Sequence, residues 1–116
     1  MEFDTTIAGN DHVLRRHRDR QRHSLEQIEG KDGQRVIVLE KDQSVIGRST
    51  TAHIRVRSDR ASRQHAILKI HGTDCTLYDN DSDNGVFLNG VRIHSAVLRD
   101  GDIIQLADSA FIYNAG

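Results

Sequence analysis

The amino-acid sequence predicts an all-β fold, an antiparallel β-sandwich, for most of the chain. Short segments rich in Val, Ile and Leu recur at intervals of about ten residues, with turn residues between them. None of these segments extends into a long helical period. The aromatic content is 4%, with no Trp and no Pro, so the core must come from branched aliphatic side chains, which favour strands.

Turn signals divide the β region into its predicted strands. Gly30-Lys31-Asp32-Gly33 separates two apolar segments and predicts a hairpin at the start of the domain. Asn89-Gly90 predicts a second tight hairpin, because this dipeptide tolerates the positive φ that both central turn residues need. Asp100-Gly101-Asp102 marks another turn. The segments between turns predict strands near residues 25–28, 35–39, 45–46, 54–56, 66–70, 76–78, 86–88, 91–93, 103–106 and 111–113.

Length and charge exclude several functional classes. The 116 residues suffice for one compact domain and not for two ordinary ones. The formal net charge of -1 gives the chain no overall attraction to nucleic acid or to a membrane surface. No apolar run approaches the ~18 residues of a membrane span, and no signal-peptide pattern opens the chain. The single cysteine, Cys75, cannot form an internal disulfide, which favours a reducing cytoplasm.

Residues 1–23 are predicted to lie outside the β domain, which covers residues 24–116. Residues 1–11 are acidic and have no clear hydrophobic period, so we expect a mobile tail. Residues 12–23 are rich in Arg and His and have no apolar face with which to join a core, so we expect a basic linker.

Four polar signatures interrupt the β pattern and fall in loops between predicted strands. They are Gly47-Arg48, Ser62-Arg63-Gln64-His65, Ser82-Asp83-Asn84-Gly85 and Asn89-Gly90. Binding residues concentrate in the loops at one end of a rigid sheet scaffold. The Arg, Ser and Asn side chains are hydrogen-bond donors suited to an anion. The four signatures together therefore predict a phosphate-binding surface.

In this order, and followed by Leu98-x-x-Gly101-Asp102, the signatures resemble those of the forkhead-associated (FHA) domain family. The resemblance covers residues 24–116. It implies an FHA-like β-sandwich of about eleven strands that binds a phosphothreonine peptide with the loops at one end. It also implies a non-catalytic module without a cofactor, typical of the N-terminal regulatory region of a bacterial signalling protein. An output domain, for example a nucleotide cyclase or a transcription activator, would follow such a module.

The resemblance assigns a role to each matching residue of the binding surface. Arg48 corresponds to the family arginine that forms a salt bridge with the phosphate, since its guanidinium fork fits phosphate oxygens. Ser62 would donate its hydroxyl to a phosphate oxygen, and Arg63 would add a second donor group. Asn84 corresponds to the residue whose amide hydrogen-bonds the peptide backbone.

Other matching residues would shape the loops without contacting the ligand. His65 resembles the family's structural histidine, which braces the loops through hydrogen bonds. Gly47, Gly85, Asn89 and Gly90 would permit tight turns and close backbone approach. These five residues are therefore predicted to support the site.

Asp83 is included in the predicted phosphothreonine site, although it departs from the family pattern. The family more often has Thr, Ser or another uncharged or basic residue at this position. A phosphothreonine carries nearly two negative charges at neutral pH. A carboxylate facing it would cost about 1 kcal/mol or more. Three outcomes stay open: Asp83 points outward, it weakens the affinity, or Arg63 neutralises it.

Arg60 is predicted to select among phosphothreonine peptides. It lies two residues before Ser62, at a place where family members vary their peptide preference. Its positive charge would favour an acidic residue about three positions after the phosphothreonine.

Two alternative functions stay open at this stage. Thr5 and Thr6 form a threonine pair within reach of a kinase, and either residue, once phosphorylated, could occupy the domain's own site as an intramolecular switch. Against this switch, neither threonine has an acidic residue three positions later. The domain could instead bind partners without phosphate, through an open face of the sandwich.

Catalytic and metal-binding motifs are incomplete in this sequence. Ser62 and His65 are three residues apart but lack an oxyanion-hole motif. The run from Asp79 to Asp83 begins like a calcium loop, but Asn84 stands where that loop needs glycine. We therefore expect no enzyme activity and no metal. The expected partner is a protein that an upstream Ser/Thr kinase has phosphorylated on threonine. We expect the domain to bind it as a monomer, and we expect no binding to nucleic acid or to a membrane.

Overall fold

The computed structural model describes residues 22–116, which form eleven β-strands in two sheets. The predicted all-β sandwich is therefore confirmed. The strands are β1 (Ser24–Glu29), β2 (Arg35–Val38), β3 (Gln43–Gly47), β4 (Ile54–Arg55), β5 (Ala66–His71), β6 (Asp74–Asp79), β7 (Val86–Leu88), β8 (Val91–Ile93), β9 (Ser95–Val97), β10 (Ile103–Leu106) and β11 (Ser109–Asn114). Residues 22–116 contain no helix long and apolar enough to cross a membrane.

The two sheets hold six and five strands. The order is β2-β1-β11-β10-β7-β8 in the first sheet and β4-β3-β5-β6-β9 in the second. The expected antiparallel pairing is wrong for β3 and β4, which pair in parallel through Ile46 with Ile54 and Gly47 with Arg55. The reason is that residues 48–53 fold back along β3, so the chain enters β4 in the direction of β3.

The strand β9 was not predicted from the sequence. Its three residues have small or exposed side chains, and it pairs only with β6 at the edge of the second sheet. Its sequence, Ser95-Ala96-Val97, has a single branched apolar residue and so lacks the composition that marks the other short strands. The hairpin at Asn89-Gly90 is confirmed, with φ of 50° and 85° in the turn between β7 and β8.

The core lies between the two sheets and comes from alternate positions on each strand. On β10, for example, Ile104 and Leu106 are buried while Ile103 and Gln105 face outward. Burying each such aliphatic side chain contributes about 2 kcal/mol to folding. The fully buried apolar side chains are Leu25, Ile46, Val56, Ala66, Leu68, Cys75, Leu77, Val86, Ile104, Leu106, Phe111 and Tyr113.

Strand direction sorts the loops into two ends of the sandwich. We name them the site end, where β3 ends, and the far end, where β3 begins. The site end holds the β1–β2, β3–β4, β4–β5, β6–β7, β8–β9 and β10–β11 loops, and the far end holds the β2–β3, β5–β6, β7–β8 and β9–β10 loops. Hydrogen bonds between loops agree with this assignment to the site end. In the β4–β5 loop, the Arg57 N–H donates to Asp32 of the β1–β2 loop at 3.0 Å, and the Ser58 hydroxyl donates to Asp108 of the β10–β11 loop at 2.8 Å.

His23 is packed into the fold, although the sequence places it in the basic linker. Its side chain is 1% exposed, and its ring stacks on Tyr113 with centroids 5.9 Å apart. Nδ1 shares a hydrogen bond with the Tyr113 hydroxyl, while Nε2 has no partner among the described residues. Burial lowers the pKa of His23, partly opposed by Asp74, and burial raises the pKa of Tyr113.

The depressed pKa of His23 predicts a stability that falls in acid. The unfolded state binds this proton more tightly than the folded state, so stability is full above the ordinary His pKa of about 6.5 and declines below it. We expect Tm to fall between about pH 7.5 and about pH 5.5, and His23→Phe to reduce that fall. Thermal unfolding followed by circular dichroism measures both, with the exposed His71→Phe as control. An unchanged fall in His23→Phe would contradict the assignment.

Candidate functional site

The β3–β4 and β4–β5 loops are joined through their backbones at the site end. The Arg48 N–H donates to the Ser62 carbonyl at 3.0 Å, and the Ser49 N–H donates to the Arg63 carbonyl at 3.1 Å. A Cβ on Gly47 would lie 2.0 Å from the Arg63 carbonyl oxygen. Only glycine therefore allows this approach, which brings Arg48 and Ser62 together.

His65 joins the β4–β5 loop to the β6–β7 loop. Its side chain is fully buried. Nδ1 accepts a hydrogen bond from the Ser62 N–H at 3.0 Å, so the ring proton is on Nε2, which donates to the Gly85 carbonyl at 2.8 Å. One neutral imidazole therefore fixes the distance between Ser62 and Gly85.

The β6–β7 loop is built from side-chain turns. The Asp79 carboxylate accepts from the Ser82 N–H at 3.0 Å, and the Ser82 hydroxyl oxygen accepts from the Gly85 N–H at 2.9 Å. Gly85 has a φ of 86°, in the left-handed region that favours glycine. Asp79, the first acid of the calcium-like run, is therefore engaged in a turn.

Two further hydrogen bonds attach this loop to the β4–β5 loop. The Asp83 N–H donates to the Ser62 hydroxyl oxygen at 3.2 Å, and the Asn84 side-chain amide donates to the Arg60 carbonyl at 2.7 Å. Arg60, Ser62, Asp83 and Asn84 thus lie together at the site end.

Arg48 is exposed but its side chain is oriented. Nε donates to the Ala61 carbonyl at 3.0 Å, and the Arg48 carbonyl accepts from Nε of Arg55 at 3.2 Å. The two terminal guanidinium nitrogens of Arg48 make no hydrogen bond within residues 22–116. Among the described residues, its donor fork is therefore left to a ligand.

Asp83 and Arg63 are both exposed, and they form no ion pair with each other. The ion pairs in the part of the chain that the structure describes are Arg57 with Asp32 at 3.6 Å and Arg60 with Asp108 at 3.9 Å. Direct neutralisation by Arg63, one of the three open outcomes for Asp83, is therefore absent from the structure.

Arg60 is braced by residues that the sequence did not single out. Its side chain is 65% exposed, and its N–H donates to the Ser58 hydroxyl oxygen at 3.1 Å. The buried Ser58 in turn donates to Asp108 at 2.8 Å, which also pairs with Arg60. Ser58 and Asp108 are 50 residues apart, so no local pattern could have connected them.

Asn89 and Gly90 lie at the far end, so the prediction that they support the site is wrong. The strand β7 runs from the site end at Gly85 to the far end at Asn89. The Asn89 amide donates to Asp102 at 3.0 Å, and its oxygen accepts from the Ile103 N–H at 2.9 Å. The pair therefore shapes the hairpin and the start of β10.

A cleft of about 500 Å³ opens beside Arg48 and Arg63. It is lined by Lys31, Arg48, Ser49, Thr50, Arg55, Arg57, Ser58, Asp59 and Arg63. Five of these residues are cationic and one is acidic. One feature of the sequence could have indicated this basic cleft. Arg55 and Arg57 are two residues apart on an extended segment, so their side chains face the same side.

The remaining residues that the sequence analysis named are the threonine pair and the cysteine. Thr5 and Thr6 lie outside the described residues. Cys75 is fully buried in the core, and burial raises the pKa of its thiol to about 11. A thiol in that state is a poor nucleophile.

Comparisons with known proteins agree on one family. The family model described as FHA domain matches residues 44–107. The transcriptional regulatory protein EmbR of Mycobacterium tuberculosis is 41% identical over 69 residues, or 59% of this chain and 18% of EmbR. An ABC transporter ATP-binding/permease protein of the same organism is 35% identical over 71 residues, or 61% of this chain and 8% of the transporter. The chain thus spans a small part of these relatives.

Solved structures give the same result. EmbR of Mycobacterium tuberculosis, in complex with a low affinity phosphopeptide, has a TM-score of 0.78 at 30% identity, covering 97% of this chain and 30% of that chain. The FhaA FHA domain, complexed with the intracellular domain of Rv3910, has a TM-score of 0.73 at 28% identity, covering 79% of this chain and 99% of that chain.

Gly47→Ala is expected to destabilise the site end. Its Cβ would overlap the Arg63 backbone, which cannot move without breaking the hydrogen bonds between the two loops. We expect a loss of about 3 kcal/mol in the free energy of unfolding, measured by urea denaturation. The matched control is Gly72→Ala, where the Cβ meets open space and the φ of 63° costs about 1 kcal/mol. Equal losses in the two variants would contradict the close approach.

Proposed function

The chain belongs to the FHA family, and we propose that it binds phosphothreonine peptides through the loops at its site end. FHA domains are interaction modules that recognise phosphorylated motifs with Arg clusters. The observation that carries the proposal is the placement of Arg48 and Ser62. Their backbones are joined at 3.0 Å, and the donor fork of Arg48 has no partner within the described residues.

Arg48 and Ser62 would hold the phosphate as complementary donors. Guanidinium binds phosphate oxygens in a bidentate manner and stays charged throughout the physiological pH range. The Ser62 oxygen already accepts the Asp83 N–H, so its hydroxyl proton is left to donate to a phosphate oxygen. Arg63, exposed on the same loop, would add the second positive charge that a doubly charged phosphate favours.

Asn84 would position the peptide backbone. One of its amide protons holds the Arg60 carbonyl at 2.7 Å, which orients the side chain. Its amide oxygen and second amide proton can then pair with a peptide N–H and C=O. These contacts fix the register of a ligand without selecting its side chains.

Arg60 would select an acidic residue about three positions after the phosphothreonine. Its side chain is 65% exposed, and its pairing with Asp108 at 3.9 Å is weak enough to be exchanged for a ligand carboxylate. Two phosphothreonine peptides that differ only in Glu or Gln at this position test the assignment. The affinity of each peptide is measured for the wild-type protein and for Arg60→Gln. Equal affinity of the wild-type protein for both peptides would contradict it.

The proposed partner is a phosphothreonine-containing protein that an upstream Ser/Thr kinase modifies. The similar EmbR structure holds a phosphopeptide, and a further similar structure, with a TM-score of 0.71 at 28% identity over 78% of this chain and 95% of that chain, concerns phosphothreonine-dependent FHA domain interactions. By analogy, phosphopeptide binding would regulate whatever domain accompanies this one in a longer protein. We propose that the domain binds this partner in the cytoplasm.

Arg48→Ala is expected to weaken phosphothreonine binding by about 100-fold, because charge-assisted hydrogen bonds to a phosphate are lost. Calorimetric titration compares one peptide sequence carrying phosphothreonine, phosphoserine or plain threonine. We expect wild type to prefer phosphothreonine, Arg48→Lys to bind weakly, and the far-end variant Lys41→Ala to bind normally. Equal binding of plain threonine would favour the phosphate-independent scaffold instead.

Asp83→Asn is expected to strengthen phosphothreonine binding by about threefold to fivefold, because a negative charge near the phosphate is removed. The same titration measures it. The control is Asp81→Asn, which removes an exposed charge from the same loop without altering the residue next to Asn84. No gain in Asp83→Asn would show that its carboxylate points away from the ligand.

A further inference from the structure

The basic cleft beside Arg48 exceeds what one phosphate needs. Its volume of about 500 Å³ is that of a ligand pocket rather than of a single-ion site. Arg48 and Arg63 match the two charges of one phosphothreonine. Lys31, Arg55 and Arg57 line the remainder of the cleft and have no role in the proposed phosphothreonine contacts.

Arg57 is held at the cleft by the β1–β2 loop. Its backbone N–H donates to one carboxylate oxygen of Asp32 at 3.0 Å, and its Nε lies 3.6 Å from the other. The Asp32 side chain is 8% exposed, whereas the Arg57 side chain is 71% exposed. The nearly buried Asp32 therefore orients Arg57 through its backbone N–H and Nε, while most of the Arg57 side chain is exposed to solvent.

Arg55, on β4, is held in a similar way by residues of β1 and β2 in the other sheet. Nη2 of Arg35 donates to the Arg55 carbonyl at 2.7 Å, and Nε of Arg35 donates to the buried Gln27 at 2.7 Å. Nε of Arg55 in turn donates to the Arg48 carbonyl at 3.2 Å. The guanidinium of Arg55 is thus placed directly beside the proposed phosphate-binding arginine.

The cations of this cleft outnumber the carboxylates near them. If Asp32 and Asp59 each compensate one cation, three of the five lining cations are left without a carboxylate. Like charges held close together destabilise the folded state unless an anion joins them. The arrangement is therefore complementary to a ligand with more than one negative group.

We propose that Lys31, Arg55 and Arg57 form a second anion subsite, which binds another phosphate or carboxylate on the same phosphothreonine peptide. This inference rests on the proposed function and specifies its ligand as a multiply phosphorylated or acidic peptide. Arg60 does not line this cleft, so the subsite is separate from its selection of an acidic residue. A peptide advances ~3.3 Å per residue, so the second anion lies within a few residues of the phosphothreonine.

The test uses peptides that carry one phosphothreonine and otherwise only uncharged residues. A second phosphothreonine is placed in turn at each position from about five residues before to about five residues after it, and a parallel series carries Glu instead. Affinities are measured at near-physiological salt, since lower salt exaggerates surface charge. We expect a gain of about tenfold at a restricted set of positions, in one or both series.

The subsite variant is Lys31→Gln/Arg57→Gln, with the single variant Lys31→Gln as a second variant if the first loses thermal stability. The matched control, Lys41→Gln/Arg99→Gln, removes one lysine and one arginine at the far end. The subsite variant should lose the gain from the second anion and keep its affinity for the singly phosphorylated peptide within about twofold. The control should keep both.

The outcomes separate this proposal from the proposed function. If wild type does not bind the singly phosphorylated peptide, the proposed function fails. If it binds that peptide but gains nothing from a second anion at any position, the subsite alone is overturned. A gain that survives in the subsite variant, or that the control loses equally, also overturns it. A gain in the phosphate series alone identifies the anion as a second phosphate, and a gain in both series identifies any acidic group.

Discussion

A buried histidine with both ring nitrogens engaged organises the site end of this domain. His65 accepts from the Ser62 N–H and donates to the Gly85 carbonyl, which joins loops 20 residues apart in sequence. Leaving a buried imidazole nitrogen unpaired costs free energy, so a shift of either loop that breaks one of these two hydrogen bonds is opposed. The positions of Ser62, Asp83 and Asn84 all depend on these two bonds.

Close backbone packing then turns this framework into a charged surface. Gly47 allows the β3–β4 loop to lie on the β4–β5 loop, which brings Arg48 next to Ser62. The chain as a whole carries a formal charge of -1, yet five cations and one carboxylate line the cleft at this end. Attraction for an anion is therefore local, and it comes from where the loops place the arginines rather than from overall charge.

The sequence predicted the fold class, most strands and the Asn89-Gly90 hairpin, because alternation and turn chemistry are local properties. It predicted neither the parallel pairing of β3 with β4 nor the edge strand β9, since both depend on distant partners. The sequence groups Asn89 with the site because a sequence does not show at which end of a sandwich a loop lies. Lys31 was missed for a similar reason, since the Asp32–Arg57 contact that closes its side of the cleft spans 25 residues.

The central claim is that the phosphate binds at the end of the sandwich that His65 organises. Titration of the isotopically labelled chain with a phosphothreonine peptide, followed by backbone amide chemical shifts, tests it most directly. We expect the largest shifts in residues 47–49, 60–65 and 82–85, with Asn89 and Gly90 unchanged. Large shifts at the β7–β8 hairpin, with residues 60–65 unchanged, would contradict it.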